Sequence, residues 1–199
     1  MATYSLVHGA WHGGWAWDLL RSELERRGHA VAAPDLPCED VDAGAHEYAA
    51  LVPAADVVVG HSLAGYTIPL VEARVHVYLC ALVTGVPATF VAGFGDARVR
   101  DDLGRSYYPD PADAARELQY PAEHAALAGR LRRQAPVDSD APLPEARAYI
   151  VCARDAAIDP EWQRHVARDV LRVEPVELDA GHSPMLTHVV ELADVLETF

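Results

Sequence analysis

The 199-residue chain is 51% hydrophobic, carries 30 acidic against 16 basic residues, and has a formal net charge of −14. That length suits one domain with a sizeable core, because a single core serves up to roughly 250 residues, and the composition excludes global disorder. So acidic a surface repels phosphate backbones and anionic membranes, which argues against nucleic-acid and membrane partners.

Residues 3–7 (TYSLV) read as a strand, and 15–27 as a helix ended by Gly28, a residue suited to the position after a helix. Residues 30–33 read as a short strand stopped by Pro34. Residues 57–59 (VVV) are β-branched throughout, the pattern of a strand buried on both faces. Residues 63–73 suit a helix that Pro69 should kink. Further strands are expected at 75–83, 146–152 and 173–178. Further helices are expected at 160–170, with Pro160 in the first turn, and at 184–198. This alternation predicts an α/β fold with a mostly parallel sheet of about six strands and helices on both faces. The expectation is a single domain over 1–199.

Residues 84–145 break the rhythm. They are rich in Pro, Gly, Asp and Arg and contain no clear strand. Helical patterns at 112–118 and 122–133 suggest a short helical cap over the sheet, and 136–144 (PVDSDAPLP) reads as its extended return. Cys38, Cys80 and Cys152 are scattered and imply no disulfide framework, while the last two sit in apolar runs as small core residues. No secretory signal is visible, and no apolar run reaches the about 20 residues that span a bilayer, so the expectation is a cytoplasmic protein. A homodimer is compatible with the sequence and not required by it.

The sharpest local signal is Gly60-His61-Ser62-Leu63-Ala64-Gly65, which follows the VVV strand and opens a helix. A serine hydroxyl attacks well only when its proton is removed as it reacts, and it must stand clear of its own backbone. A tight strand-to-helix turn provides that exposure. Small residues two before and two after the serine, here Gly60 and Ala64, make room for the turn. The alternative is an ordinary turn with a helix-capping serine; the strand before and the helix after favour the nucleophile.

His8-Gly9-Ala10-Trp11-His12-Gly13-Gly14-Trp15 follows the first strand. An acyl-transfer intermediate needs two backbone N–H donors for its oxyanion; Leu63 after the nucleophile and Ala10 in this small-residue loop are the candidates. His8 and His12 have the i, i+4 spacing of a helical metal pair, but glycines make the segment a loop and no metal or other cofactor is expected. Of Trp11, Trp15 and Trp17, one should line a pocket and the others pack.

Gly181-His182-Ser183-Pro184 lies after the last strand and opens the last helix. A histidine at a strand's carboxyl end can reach over the sheet edge to Ser62, and its pKa near neutrality suits a general base. Asp155, after the strand ending at Cys152, would accept the imidazole N–H. Asp159 is the rival, although it reads as the cap of the helix at Pro160, and Asp179 is near only in sequence. The order Ser62, Asp155, His182 is the one an α/β-hydrolase uses.

The segments VHGAWHGGWAW, GHSLAG, YIVCARDAAIDPEWQ and LDAGHSPML together resemble the plant methylesterase and hydroxynitrile lyase branch of the α/β-hydrolases and its bacterial esterase relatives. The resemblance fades over 84–145. It implies Ser62 as nucleophile, His182 as base, Asp155 as acid, and Ala10 and Leu63 as oxyanion donors. Lyases of the branch carry threonine where this chain has Gly9 and lysine just after the catalytic histidine, where this chain has Ser183. Gly9, Met185 and Leu186 resemble the esterases, and at position 183 the cation a lyase needs is missing. The stretch from Asp35 to Ser62 is short for the branch, so a helix there should be trimmed or lost.

The expected activity is hydrolysis of a small, largely apolar carboxylic ester. Gly9, Trp11, Phe90, Phe94, Tyr107, Tyr108 and Met185 are candidates for the pocket wall. Two other classes stay open: a lyase or cyclase that uses His182 without an acyl-enzyme, and a non-catalytic small-ligand binding protein.

Overall fold

The computed structural model describes residues 1–86 and 97–199. Its elements in chain order begin with β1 (Thr3–Val7), α1 (Asp18–Arg26), β2 (Ala30–Ala32), α2 (Ala45–Ala49), β3 (Ala55–His61) and β4 (Ala73–Leu79). The excursion contributes β5 (Val99–Arg100), β6 (Ser106–Tyr107) and α3 (Pro111–Glu117). The chain closes with β7 (Arg147–Cys152), α4 (Pro160–His165), β8 (Val176–Leu178), α5 (Pro184–Thr187) and α6 (Val189–Leu196). Six strands form one parallel sheet in the order β2-β1-β3-β4-β7-β8. This is the mostly parallel six-stranded sheet, covered on both faces, that the alternation predicts.

Alternation along the strands builds two apolar layers. Leu6, Val57, Val59, Leu79 and Ile150 face Leu20 and Leu24 of α1 and Leu192 and Leu196 of α6. Val7, Val58, Tyr78, Tyr149 and Val151 face the other way, onto Ile68, Trp162 and Val166. Side chains on both faces are buried, which is why the central strands read as unbroken apolar runs. Cys38, Cys80 and Cys152 are buried free thiols.

Several boundaries differ from expectation. The strand expected at 75–83 ends at Leu79, and Cys80 turns the chain out of the sheet at φ 38°. Residues 80–83 stay buried without being extended, so their apolarity reports burial and not strand. The helix expected at 63–73 is two 3₁₀ turns, Ser62–Tyr66 and Ile68–Leu70, because Pro69 cannot donate into a continuous helix. The helix expected at 15–27 is a 3₁₀ turn, Gly14–Trp17, running into α1, with Gly28 beyond it at φ 92°. The stretch 160–170 is α4 widening into a π turn at Val166–Val170. At 184–198 the helix breaks at His188 between α5 and α6. Between Asp35 and β3 the chain forms α2, five residues long.

In the excursion, β5 pairs antiparallel with β6, where no strand was expected. Two-residue strands are too short to carry a readable period. The segment expected as helix at 122–133 is 3₁₀ at Ala122–Arg130, while Asp110 caps α3 by accepting from Ala112 N at 2.8 Å. Among the described residues no helix is long and apolar enough to cross a membrane.

Candidate active site

The carboxyl ends of β1, β3, β7 and β8 lie side by side, and the loops that leave them carry the residues singled out above. Ser62 sits where β3 turns into its 3₁₀ helix, at φ 54°. A non-glycine residue in this left-handed region is strained, and such strain persists only where surrounding packing over-determines it. The packing is visible. A Cβ on Gly60 would lie 2.7 Å from Ile68 Cγ2, and one on Gly65 would lie 1.8 Å from the Leu82 carbonyl oxygen. The turn is held from the far side by Leu82 N donating to Ser62 O at 2.9 Å.

The imidazole of His182 reaches this turn. Its Nε2 lies 3.2 Å from Ser62 Oγ, and its Nδ1 lies 2.8 Å from Asp155 Oδ2. A carboxylate can only accept, so the proton sits on Nδ1 and Nε2 is free to accept the serine proton. All three side chains are buried. Asp155 Oδ1 accepts from Ala157 N at 2.8 Å and Ile158 N at 2.9 Å, and Oδ2 also accepts from Gln163 Nε2 at 2.9 Å. Its rivals are elsewhere: Asp159 Oδ1 caps α4 through Glu161 N at 2.7 Å, and the exposed Asp179 pairs with Arg154 at 2.8 Å. The His182 backbone is held on both sides. Its carbonyl accepts from His61 Nε2 at 2.7 Å, and its N–H donates to Gln119 Oε1 at 2.9 Å.

Ser62, Ala10 and Leu63 lie together on the wall of a cavity of about 1150 Å³. Its apolar lining includes Tyr66, Leu82, Val137, Leu143 and Ile158, and Trp11 borders it from the β1 loop. Trp11 Nε1 donates to Ser106 Oγ at 3.0 Å, which ties that loop to the excursion. Trp17 is fully buried, and Trp15 lies under the Arg130 guanidinium at 4.8 Å, so one tryptophan lines the cavity and the other two pack.

The other described wall candidates are not among the residues that line this cavity. Met185 is buried in the core beneath α5, because the first turn of that helix faces inward. Tyr108 packs edge-on against Trp11 at 5.3 Å between centroids, behind the wall. Tyr107 lies beneath the Arg133 guanidinium at 4.2 Å. Gly9 lies behind the elbow, where a Cβ would sit 2.9 Å from both Ser62 Cβ and His61 Nδ1. Phe90 and Phe94 lie outside the described residues.

The loop histidines are structural. His8 Nδ1 donates to Gly9 O at 2.9 Å and its Nε2 accepts from Leu36 N at 3.0 Å. His12 Nδ1 donates to Ala10 O at 2.7 Å, and its Nε2 accepts from Tyr120 Oη at 2.6 Å. Burial pushes their pKa values down to about 4 and about 3. His61 is pushed well below the usual histidine range, first by burial and then by the neighbouring His182. Ligand-type atoms of His61, Cys80 and His182 lie within 4.8 Å of one another. Both ring nitrogens of His182 are engaged by Asp155 and Ser62, however, and burial holds the Cys80 thiol protonated. That donor set suits no metal ion.

Two residues of this site were not singled out from the sequence, Gln163 and Gln119. Neither carries a spacing or a motif of its own; each acts through an amide whose partners are far away in the chain.

A sequence profile described as "Alpha/beta hydrolase family" matches residues 6–195. Methylesterase 3 of Arabidopsis thaliana is 24% identical over 96% of this chain and 93% of its own length. Norfluorocurarine synthase 1 of Strychnos is 39% identical, but over only 32% of this chain and 30% of its own. Among solved structures, a pyrethroid hydrolase from Sphingobium faniae JZ-2 superposes with a TM-score of 0.74 at 21% identity, covering 99% of this chain and 96% of that one.

Proposed function

The chain belongs to the α/β-hydrolase family, and from that premise we propose that it is a serine esterase that cleaves a largely apolar carboxylic ester through an acyl-enzyme. The observation that carries the reading is the unbroken contact from Asp155 Oδ2 to His182 Nδ1 at 2.8 Å and from His182 Nε2 to Ser62 Oγ at 3.2 Å. Ser62 Oγ attacks the ester carbonyl as its proton passes to His182 Nε2. The imidazolium that forms is stabilised by the Asp155 carboxylate, which accepts the His182 Nδ1 proton in a hydrogen bond. The tetrahedral oxyanion is held by the N–H groups of Ala10 and Leu63; each such donor typically contributes about 3 kcal/mol to the transition state. His182 then gives its proton to the departing alkoxide and the C–O bond breaks. Water, deprotonated by the same nitrogen, attacks the acyl carbonyl and releases the acid, and the proton returns to Ser62.

The apolar stretch of wall from Leu63 to Ile158 supports an apolar acyl or alcohol group. Two positions support an esterase over a cyanohydrin lyase. A side chain at position 9 would press on Ser62 Cβ at 2.9 Å. The Ser183 hydroxyl, where the lyases carry a cation, donates to Leu118 O at 2.6 Å and offers no positive charge to a leaving anion. The names of relatives, a methylesterase and a pyrethroid hydrolase, agree with ester cleavage.

The test is a series of p-nitrophenyl esters of graded chain length, run beside Ser62→Ala, with a fluorophosphonate to label the serine. The expected result is turnover and stoichiometric labelling in the parent protein and neither in the folded variant. Turnover that survives Ser62→Ala would overturn the acyl-enzyme in favour of a lyase or cyclase using His182 alone. Ligand binding with no turnover and no labelling would point to a binding protein.

A further inference from the structure

One side-chain amide joins the loop of the acid to the loop of the base. Gln119 leaves α3 at φ 55°, which turns the chain sharply toward the carboxyl ends of β7 and β8. Its Oε1 accepts from Ala156 N at 2.8 Å and from His182 N at 2.9 Å, and its Nε2 donates to Arg154 O at 2.9 Å. Arg154 and Ala156 flank Asp155. The amide thus grips both neighbours of the acid and the backbone of the base itself. The fit is close, since a Cβ on Gly181 would lie 2.9 Å from Gln119 Cδ and Nε2. Beside it, Ser183 Oγ donates to Leu118 O at 2.6 Å, so two consecutive residues at the end of α3 hold the His182 loop.

Besides the Asp155–His182 hydrogen bond itself, the loops are tied further from the imidazole. Arg154 N donates to Ala180 O at 2.9 Å, and the exposed Arg154–Asp179 pair lies further from the imidazole. The His182 N–H is left to Gln119. We infer that Gln119 is a positioning residue: its amide fixes the spacing between the Asp155 and His182 loops and so aims His182 Nε2 at Ser62 Oγ. The inference rests on the esterase reading for its kinetic consequence, but the bridge itself is independent of the substrate. A displacement of about 1 Å between reacting groups can cost on the order of 100-fold in rate, so a lost bridge should fall on kcat and leave binding in the cavity alone.

The experiment compares Gln119→Gly, Gln119→Glu and Gly181→Ala with the parent protein. Glycine suits a positive φ, so Gln119→Gly removes the amide while easing the backbone, and thermal stability should hold. Its kcat and its rate of fluorophosphonate labelling should both fall about 10- to 100-fold, with KM within about twofold. Gln119→Glu keeps both acceptor contacts and should recover most of that loss. Gly181→Ala displaces the amide without removing it and should lower kcat in the same direction, which keeps the test open should Gln119→Gly fold poorly. The second readout is the downfield proton resonance of the His182 Nδ1–H shared with Asp155. It should be sharp in the parent and broadened by exchange in Gln119→Gly, whether or not an ester is turned over. If the parent hydrolyses no ester yet Gln119→Gly loses this resonance, the esterase reading falls and the bridge stands. A Gln119→Gly variant with kcat within twofold of the parent, or with the resonance unchanged, overturns the inference.

Discussion

Ser62 combines the reactive hydroxyl with the least comfortable backbone in the site, at φ 54°. The hydroxyl meets His182 Nε2, and the left-handed turn is what lifts it there. For an L-residue this conformation costs roughly 1–2 kcal/mol, and glycine escapes that cost. Ser62→Gly and Ser62→Ala both delete the hydroxyl, so the difference between them isolates the backbone. The glycine variant should be the more stable of the two by about 1 kcal/mol, read from urea unfolding midpoints, while both are inactive. Equal midpoints would mean that the turn is not strained. Around Ser62 the useful residues divide by how they are visible. Ser62, His182 and Asp155 sit in short motifs at strand ends, and those ends converge because the sheet is parallel. Gln163 and Gln119 are invisible in that way, since an amide that accepts and donates across the fold leaves no local pattern.

At the scale of elements, the elbow depends on how closely β3's exit packs against the segment after β4. The two small residues that permit it are not equivalent. A Cβ on Gly65 would lie 1.8 Å from the Leu82 carbonyl oxygen, which is backbone and cannot rotate away. A Cβ on Gly60 meets the Ile68 Cγ2 methyl at 2.7 Å and the Ala64 carbonyl oxygen at 3.1 Å, a smaller overlap that falls mainly on a side chain. Gly65→Ala should therefore cost more than about 3 kcal/mol or prevent folding, and Gly60→Ala about 1–2 kcal/mol, measured by urea denaturation. The reverse order would show that Ser62 is held by something other than this contact. Strands were legible from the sequence because the carboxyl-terminal parts of β3, β4 and β7 are buried on both faces and largely apolar. Their limits were less so, since residues 80–83 are equally apolar and buried and yet lie beyond the end of β4. Helices read as continuous broke into short pieces at Pro69 and His188, where periodicity ran across a change of direction. The cap gave least: β5 and β6 are shorter than any period, and the wall of the cavity is made by residues such as Leu143 and Ile158 that look like ordinary core.

Across the whole molecule, the site is backed by buried imidazoles that cannot take a proton without cost. His8 and His12 are nearly inaccessible, with pKa values near 4 and 3, and the leading cause in each is loss of water. Their nitrogens are also committed, each ring donating once to a loop carbonyl and accepting once. The bonds donated to Gly9 O and Ala10 O oppose this by favouring the charged ring, as Asp35 does at His8, while Arg132 lowers both pKa values and His8 and His182 lower that of His12. An unfolded histidine titrates near 6.5, so between that pH and the folded values the unfolded chain binds more protons than the native one. The stabilisation from neutral burial is complete above about pH 6.5 and is lost as pH falls through about 4 for His8 and about 3 for His12. Each should contribute a loss of about 2 kcal/mol between pH 7 and pH 5, where both would still be neutral in the native state. His61 acts in the same direction, and its Nδ1 has no hydrogen-bond partner among the described residues. The expected outcome is a urea midpoint that drops steeply from pH 7 to pH 5. In His8→Gln, a residue that cannot protonate, the parent's slope should shrink by roughly one third, because one of the three imidazoles whose pKa burial lowers has been removed from the linkage. A slope unchanged by His8→Gln would place the acid sensitivity in the carboxylates and not in the histidines behind the elbow.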